Sequence, residues 1–230
     1  MSTLSELRLR ARRRVDAVDN QFFHDDEVTE YINVGLGELH DLLITQYEDY
    51  YVSSASFSLI ADQDTYTFSS MGVPNFYKLL GVDATSGSDT MKVRRFSFPE
   101  RNKYTADAAT YNSNGYASYE YSLRNDGLVF MPAPSSTDTI KVWYIPQFAK
   151  LERASDTVED NVMSNWEEYA VLSAGIKMRQ KEETAVGTLQ DSMDRLIQRI
   201  LDAAKNRDAA EPMGITDENT GVLPYHRWVL

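Results

Sequence analysis

The stretch Val28–Leu59, VTEYINVGLGELHDLLITQYEDYYVSSASFSL, changes its hydrophobic period partway along, and that change decides the fold. In its first half Val28, Ile32, Leu36, Leu39, Leu43 and Tyr47 recur at three- and four-residue steps, the stripe of an amphipathic helix. Further on, Ala55, Phe57 and Leu59 alternate with serines, the period-two pattern of a half-buried strand. Asp25 or Asp26 is placed to cap the helix, with Phe22 and Phe23 just before it. Gly35 and Gly37 fall inside it, each at a cost of about 1 kcal/mol relative to Ala, which is tolerated where helices pack closely or bend.

Upstream, Leu4, Leu7, Ala11, Val15 and Val18 predict a first helix from Thr3 to about Asp19. Downstream, Ala61-Asp62-Gln63-Asp64 turns the chain into Tyr66-Thr67-Phe68, and the pair of runs reads as a hairpin. Phe76–Val82 and Met91–Phe96 read as two further strands joined by the turn Thr85-Ser86-Gly87-Ser88-Asp89. Ser97 caps a short helical turn with Pro99 early in it, and 106–118 reads as a polar loop holding Tyr111 and Tyr116. Asn125-Asp126-Gly127 between Tyr119–Leu123 and Leu128–Phe130 is a strong hairpin signal, and Ile140, Val142 and Tyr144 supply a last strand. Fourteen tyrosines, most of them between Tyr47 and Tyr144, fit β-structure and contact surface better than a helical core.

The period then returns to helix. Ser164-Asn165-Trp166-Glu167 has the spacing of a capping box, opening a helix that carries Trp166, Tyr169, Ser173 and Ile176. After a break near Glu182–Thr184, Val186, Leu189, Met193, Leu196, Ile197, Ile200 and Ala204 form a nearly ideal stripe. The expected fold class is therefore α+β: N- and C-terminal helices packed as a bundle, a β-rich insertion projecting from between them, and an extended C-terminal tail. The corresponding units are 1–51, 52–148, 149–207 and 208–230.

At 230 residues, with 42% hydrophobic and 25% charged residues, the composition is that of an ordinary globular chain. The charge is not ordinary: 35 acidic against 23 basic residues leave −12, which argues against holding nucleic acid by counterion release. Residues 52–148 hold nine acidic and eight basic residues, so most of the excess lies in the helical ends and the tail. The absence of cysteine excludes disulfides and thiolate metal sites. No apolar run approaches the roughly 20 residues of a membrane span, and MSTLSELRLRARRR has no secretory h-region, so a cytoplasmic product with no membrane partner is expected.

No enzyme pattern is present. His24, His40 and His226 lack metal-ligand spacing, and His40 beside an apolar stripe reads as a packed residue. The acidic pairs Asp25-Asp26, Glu159-Asp160, Glu167-Glu168 and Glu182-Glu183 read as caps or solvated helix faces, without the buried carboxyl that acid–base catalysis needs. There is no phosphate-cradling glycine loop and no nucleophile elbow, so no cofactor is expected. Arg8, Arg10, Arg12, Arg13 and Arg14 form the one basic cluster. It reads either as a contact for an acidic partner or DNA, or as a solvated face pairing with Asp16, Asp19 and neighbouring acids; helical spacing spreads it over more than one face. Arg94-Arg95 reads as an edge-strand feature that blocks aggregation.

The tail GITDENTGVLPYHRWVL, Gly214–Leu230, has no apolar period and ends on large hydrophobics. A frayed terminus is the plain reading. The sequence favours instead a docking tail that orders on a partner through Val222, Leu223, Pro224, Tyr225, Trp228, Val229 and Leu230, because Tyr and Trp are enriched at interfaces.

The layout resembles the head-to-tail adaptor (neck, connector) proteins of tailed double-stranded DNA bacteriophages. The resemblance rests on YKLLGVD (Tyr77–Asp83), RRFSFPERNKY (Arg94–Tyr104), DGLVFMPAP (Asp126–Pro134), and the two helices NWEEYAVLSAGIKMRQKEE and LQDSMDRLIQRILDAAKNR, in that order over most of residues 20–210. It implies a non-enzymatic virion protein, made in the host cytoplasm, that forms a ring of about twelve copies beneath the portal. The tail would reach the portal protein, the β block would meet the next tail or nozzle component, and DNA would pass through the channel without specific binding. Net negative charge suits such a channel. The alternatives are another tail ring protein (a terminator or tubular component) and a DNA-binding module using Arg8–Arg14.

Overall fold

The computed structural model describes residues 2–18, 22–46, 48–99, 116–135, 137–158 and 161–205, and shows a mixed α+β protein. Helix α1 is Leu4–Arg14, capped by a reciprocal box in which the Thr3 hydroxyl accepts from Glu6 N and the Glu6 carboxylate accepts from Thr3 N. It stops short of Asp19 because the chain turns at Val15 and Asp16, the latter with a φ of 59°. Helix α2 is Asp25–Gln46, followed by a 3-10 turn at Glu48–Tyr51. After the strands come α3 (Asn161–Ser164), α4 (Glu167–Lys181) and α5 (Gly187–Lys205).

The helices share one apolar core. Leu4, Leu7 and Ala11 of α1, Val28, Ile32, Leu36 and Leu39 of α2, and Met193, Leu196 and Ile200 of α5 all bury against α4. Helix α4 has hardly any wet side: Tyr169 to Ile176 is buried at every position. A helix apolar all round belongs at the centre of a core, and YAVLSAGI reads that way once seen. Gly35 of α2 makes the close approach possible, since a Cβ there would lie 3.0 Å from the Ala170 Cα and the Ser173 Cβ. Gly37 meets nothing comparable. The capping box expected at Ser164–Glu167 does not form: α4 begins after Trp166 without a side-chain cap, and Glu167 turns to the start of the chain instead.

The strands are β1 (Ser53–Ser58), β2 (Thr65–Thr67), β3 (Phe76–Ser86), β4 (Asp89–Arg95), β5 (Tyr116–Leu123), β6 (Gly127–Met131) and β7 (Thr139–Pro146). They form one sheet in the order β1-β7-β3-β4-β5-β6-β2, antiparallel except between β4 and β5. Leu59, Val82, Val93, Tyr119, Leu128, Phe130, Ile140 and Val142 fill its core. The hairpins β3–β4 and β5–β6 form as the turn residues predict, with Gly87 at a φ of +61°. The expected hairpin of β1 with β2 does not. β1 pairs along its whole length with β7, β2 pairs with β6, and the two strands end up as opposite edges of the sheet. The sheet curls so that these edges approach, and Tyr66 bridges them: its hydroxyl accepts from Ile60 N at 2.7 Å and lies 3.3 Å from the Ile60 carbonyl oxygen. Gly127 is needed for β2 to pass, because any side chain there would collide with the Tyr66 carbonyl. Arg94-Arg95 is not an edge feature, since β4 lies between β3 and β5.

The return from β7 is fastened to the helices. The Asn33 side chain takes both the N–H and the C=O of Leu151, each at 2.9 Å. Leu4 N and Ser5 N, which an isolated helix would leave unpaired, donate to the carbonyls of Asp156 and Ala154. Truncating the buried Leu196 to Ala is expected to cost about 2–5 kcal/mol in urea unfolding; a change below about 0.5 kcal/mol would put α5 outside the core.

Candidate functional site

The arginines of α1 divide as helical spacing requires. Arg8 and Arg12, one turn apart, both reach Asp25 at the start of α2, at 3.1 and 2.9 Å. Arg12 also donates to the Phe23 carbonyl at 2.7 Å. Arg10 and Arg14, on the adjacent face, reach the start of α4: Arg10 pairs with Glu167 at 3.2 Å and Glu168 at 2.9 Å, and Arg14 pairs with Glu168. The partners are thus the first turns of two other helices rather than Asp16. Arg13 is exposed and makes no ion pair with a described residue.

Glu167 is the centre of this arrangement and departs from the expectation that the acidic pairs are solvated. Its side chain is 8% exposed. One oxygen accepts from Ser2 N at 2.8 Å, and the other from the Ser2 hydroxyl at 2.5 Å and from Arg10. A buried carboxylate with this many donors is held for structure, fixing the first residues of the chain to α4. The sequence signal was available in a glutamate opening a helix whose next turns, Tyr169–Ile176, are almost wholly apolar.

At the other end of α1's neighbours, Glu27 of α2 takes Lys181 of α4 at 2.7 Å and the Tyr31 hydroxyl at 2.7 Å. Those two donors, Lys181 first, hold the Glu27 carboxyl below its ordinary range. Burial, with the adjacent Glu27, pushes the Tyr31 phenol up to about 12. Lys181 also lies over the Phe22 ring at 4.4 Å, leaving Phe22 itself half-exposed.

Where the sheet meets the helices, a cleft of about 610 Å³ is lined by His40, Tyr51, Phe148, Leu151, Asp156 and Met163 among others. His40 is buried between rings, 5.3 Å from Tyr51, 5.8 Å from Tyr77 and 6.4 Å from Phe148, as the packed-residue reading expects. Tyr77 of β3 donates to Asp41 of α2 at 2.8 Å, and Lys78 pairs with Glu48 at 2.9 Å, tying the sheet to α2. Among the described residues no three His, Asp or Glu side chains are grouped to hold a metal ion, and no helix is long and apolar enough to cross a membrane.

The docking-tail residues Val222, Leu223, Pro224, Tyr225, Trp228, Val229 and Leu230, and the polar loop as far as Gly115, lie outside the described residues. No family model matches this chain, and no curated protein matches it.

Replacing Arg10 with Ala leaves Glu167 buried with its Ser2 bonds alone, and is expected to cost about 1–3 kcal/mol in chemical denaturation. Arg13→Ala is expected to stay within about 0.5 kcal/mol; equal losses would contradict the division of the cluster. Glu27→Gln gives a pH test. Because the folded carboxyl is held low, its contribution is fully present above the ordinary glutamate value of 4.5 and is lost as pH falls through the lowered one. Denaturation midpoints across pH should show wild type ahead by up to about 1 kcal/mol near neutrality, as for a partly exposed pair, with the gap closing in acid.

Proposed function

We propose that this chain is a structural, non-enzymatic neck protein of a tailed double-stranded DNA phage, a ring-forming adaptor between portal and tail. In this reading the helices form a bundle around α4, and the β-rich unit 52–148 projects from between them toward the tail or nozzle component. The ring, of about twelve copies by resemblance, encloses a channel through which DNA passes. Val222–Leu230 reaches the portal protein.

One observation carries the choice over a DNA-binding module. The only basic cluster is largely used up inside the molecule: Arg8, Arg10, Arg12 and Arg14 sit on Asp25, Glu167 and Glu168. With net charge −12, little is left to neutralise phosphates. A DNA conduit benefits from that, because bound phosphate would slow passage. The resemblance of Tyr77–Asp83, Arg94–Tyr104 and Asp126–Pro134 to neck adaptors supports the portal as partner.

The test is co-sedimentation with the cognate portal, with electron microscopy of the pelleted complex. The full chain is expected to add a ring to the portal, and the chain lacking Val222–Leu230 is expected to remain folded and lose attachment. A chain that never joins the portal overturns the reading. So does duplex binding at near-physiological salt that disappears when the five arginines are replaced. The expected salt slope is far shallower than the value of about −4.5 that five arginines each meeting a phosphate would give.

A further inference from the structure

The two edges of the sheet are protected very differently. The β2 edge is three residues long, and a short edge strand offers little to an incoming chain. The β1 edge is six residues, Ser53–Ser58, with no charge, no proline and no break in its register with β7. Among the described residues none of the devices that keep sheet edges from pairing lies on Ser53–Ser58; the Tyr66 hydroxyl reaches the edge just past it, at Ile60. The core beneath it is also open: Ala55 and Phe57 are only half-buried, whereas Ile140 and Val142 on the neighbouring strand are fully buried. Val52 and Ile60, just beyond the two ends of β1, are exposed large hydrophobics at 37% and 58%.

We propose that the β1 edge is a self-association surface on which two copies of this chain pair β1 antiparallel about a twofold axis at Ser56. The sequence chooses both the occupant and the register. With Ser56 opposite Ser56 of the second copy, Ala55 meets Phe57 and Phe57 meets Ala55, closing the half-open inner face with a small residue against a large one. Ser54 falls opposite Ser58. At the ends, Val52 falls opposite Ile60, so each exposed apolar residue covers the other. A shift by one residue would set Phe57 opposite Ser54 or Ser56 and lose this match. The contact is isologous, so it closes on two copies and does not itself propagate. It stands independently of the neck reading, since ring contacts made elsewhere would leave this edge to join two rings or two free chains.

Ser56 is exposed on the single chain, so its substitution should not disturb folding, which a thermal melt will verify. Sedimentation velocity of the full chain is expected to give at least twice 26.2 kDa. Ser56→Lys sets two ammonium groups face to face on the axis and is expected to halve the assembly mass. Ser56→Glu should do the same. Mixing the Lys and Glu variants should restore the wild-type mass, because only the mixed pair places opposite charges together. A monomeric wild type overturns the proposal, as does a Ser56→Lys protein that keeps the wild-type mass. If both variants dissociate but their mixture does not reassemble, Ser56 does not face Ser56 and the register is wrong. None of these outcomes depends on whether the chain binds a portal.

Discussion

The contact of α2 with α4 at Gly35 sets the geometry of the helical part. With a Cβ that would sit 3.0 Å from Ala170 and Ser173, any other residue would push the two helices apart. At this separation Leu36 and Leu39 reach α4 and become fully buried, and α4 can be covered from three sides by α1, α2 and α5. The cost of a mid-helix glycine, about 1 kcal/mol, is small against several leucine-sized side chains, each contributing about 1.5–3 kcal/mol when fully buried. Gly37, two residues on, meets no such neighbour, so its position in the helix has no equivalent packing return.

A central helix buried along Tyr169–Ile176 creates an electrostatic problem at its start, and α1 answers it. The first turns of α2 and α4 carry Asp25 and Glu167-Glu168, carboxylates that favour a helix N-terminus through the dipole. Glu167 is too buried for the dipole alone to keep it charged at low cost. The i, i+4 pairs Arg8/Arg12 and Arg10/Arg14 bring two guanidinium groups to each helix start. The cluster therefore braces two helix starts through Arg8, Arg10, Arg12 and Arg14, although Arg14, like Arg13, stays exposed. A run of like charges on a short amphipathic helix cannot be assigned to solvent or to a partner until the neighbouring helix ends are placed.

What was legible in the sequence follows from range. The switch from helix to strand period after Tyr47, the amphipathic α5 and the hairpins at Gly87 and Gly127 are local patterns, and the chain obeys them. The pairing of β1 was not local. Ala61–Asp64 does turn the chain, with Asp62 at a φ of 63°, but β1 gains a full six-residue ladder with β7 that β2, three residues long, cannot offer. The capping box at Ser164 failed for the same reason. A long-range set of donors, Ser2 and Arg10, outbid the backbone N–H three residues away for Glu167. The true box, Thr3 with Glu6, has the same spacing and no such competitor. For the arginines, the reading of a face pairing with neighbouring acids named Asp16 and Asp19 but not Asp25, Glu167 or Glu168, and Glu167 was grouped with the capping and solvated acids.

The sheet is curled but not closed, and the gap lies between its two edge strands, β1 and β2. Once β1 and β2 are committed to different neighbours, the connecting turn of Ala61–Asp64 keeps their ends close while their backbones lack ladder partners across the gap. Tyr66 fills part of that gap from β2, using one hydroxyl for both backbone groups of Ile60, and its ring packs on Phe57 at 5.1 Å. A side-chain bridge satisfies one residue's backbone, whereas a ladder satisfies every second residue along its length. Ser53–Ser58, the residues of β1 before Ile60, thus keep a free edge over a half-open core. The seam lies on the side of β1 away from β7, so a β1–β2 ladder that closed it would leave the six-residue register with β7 in place.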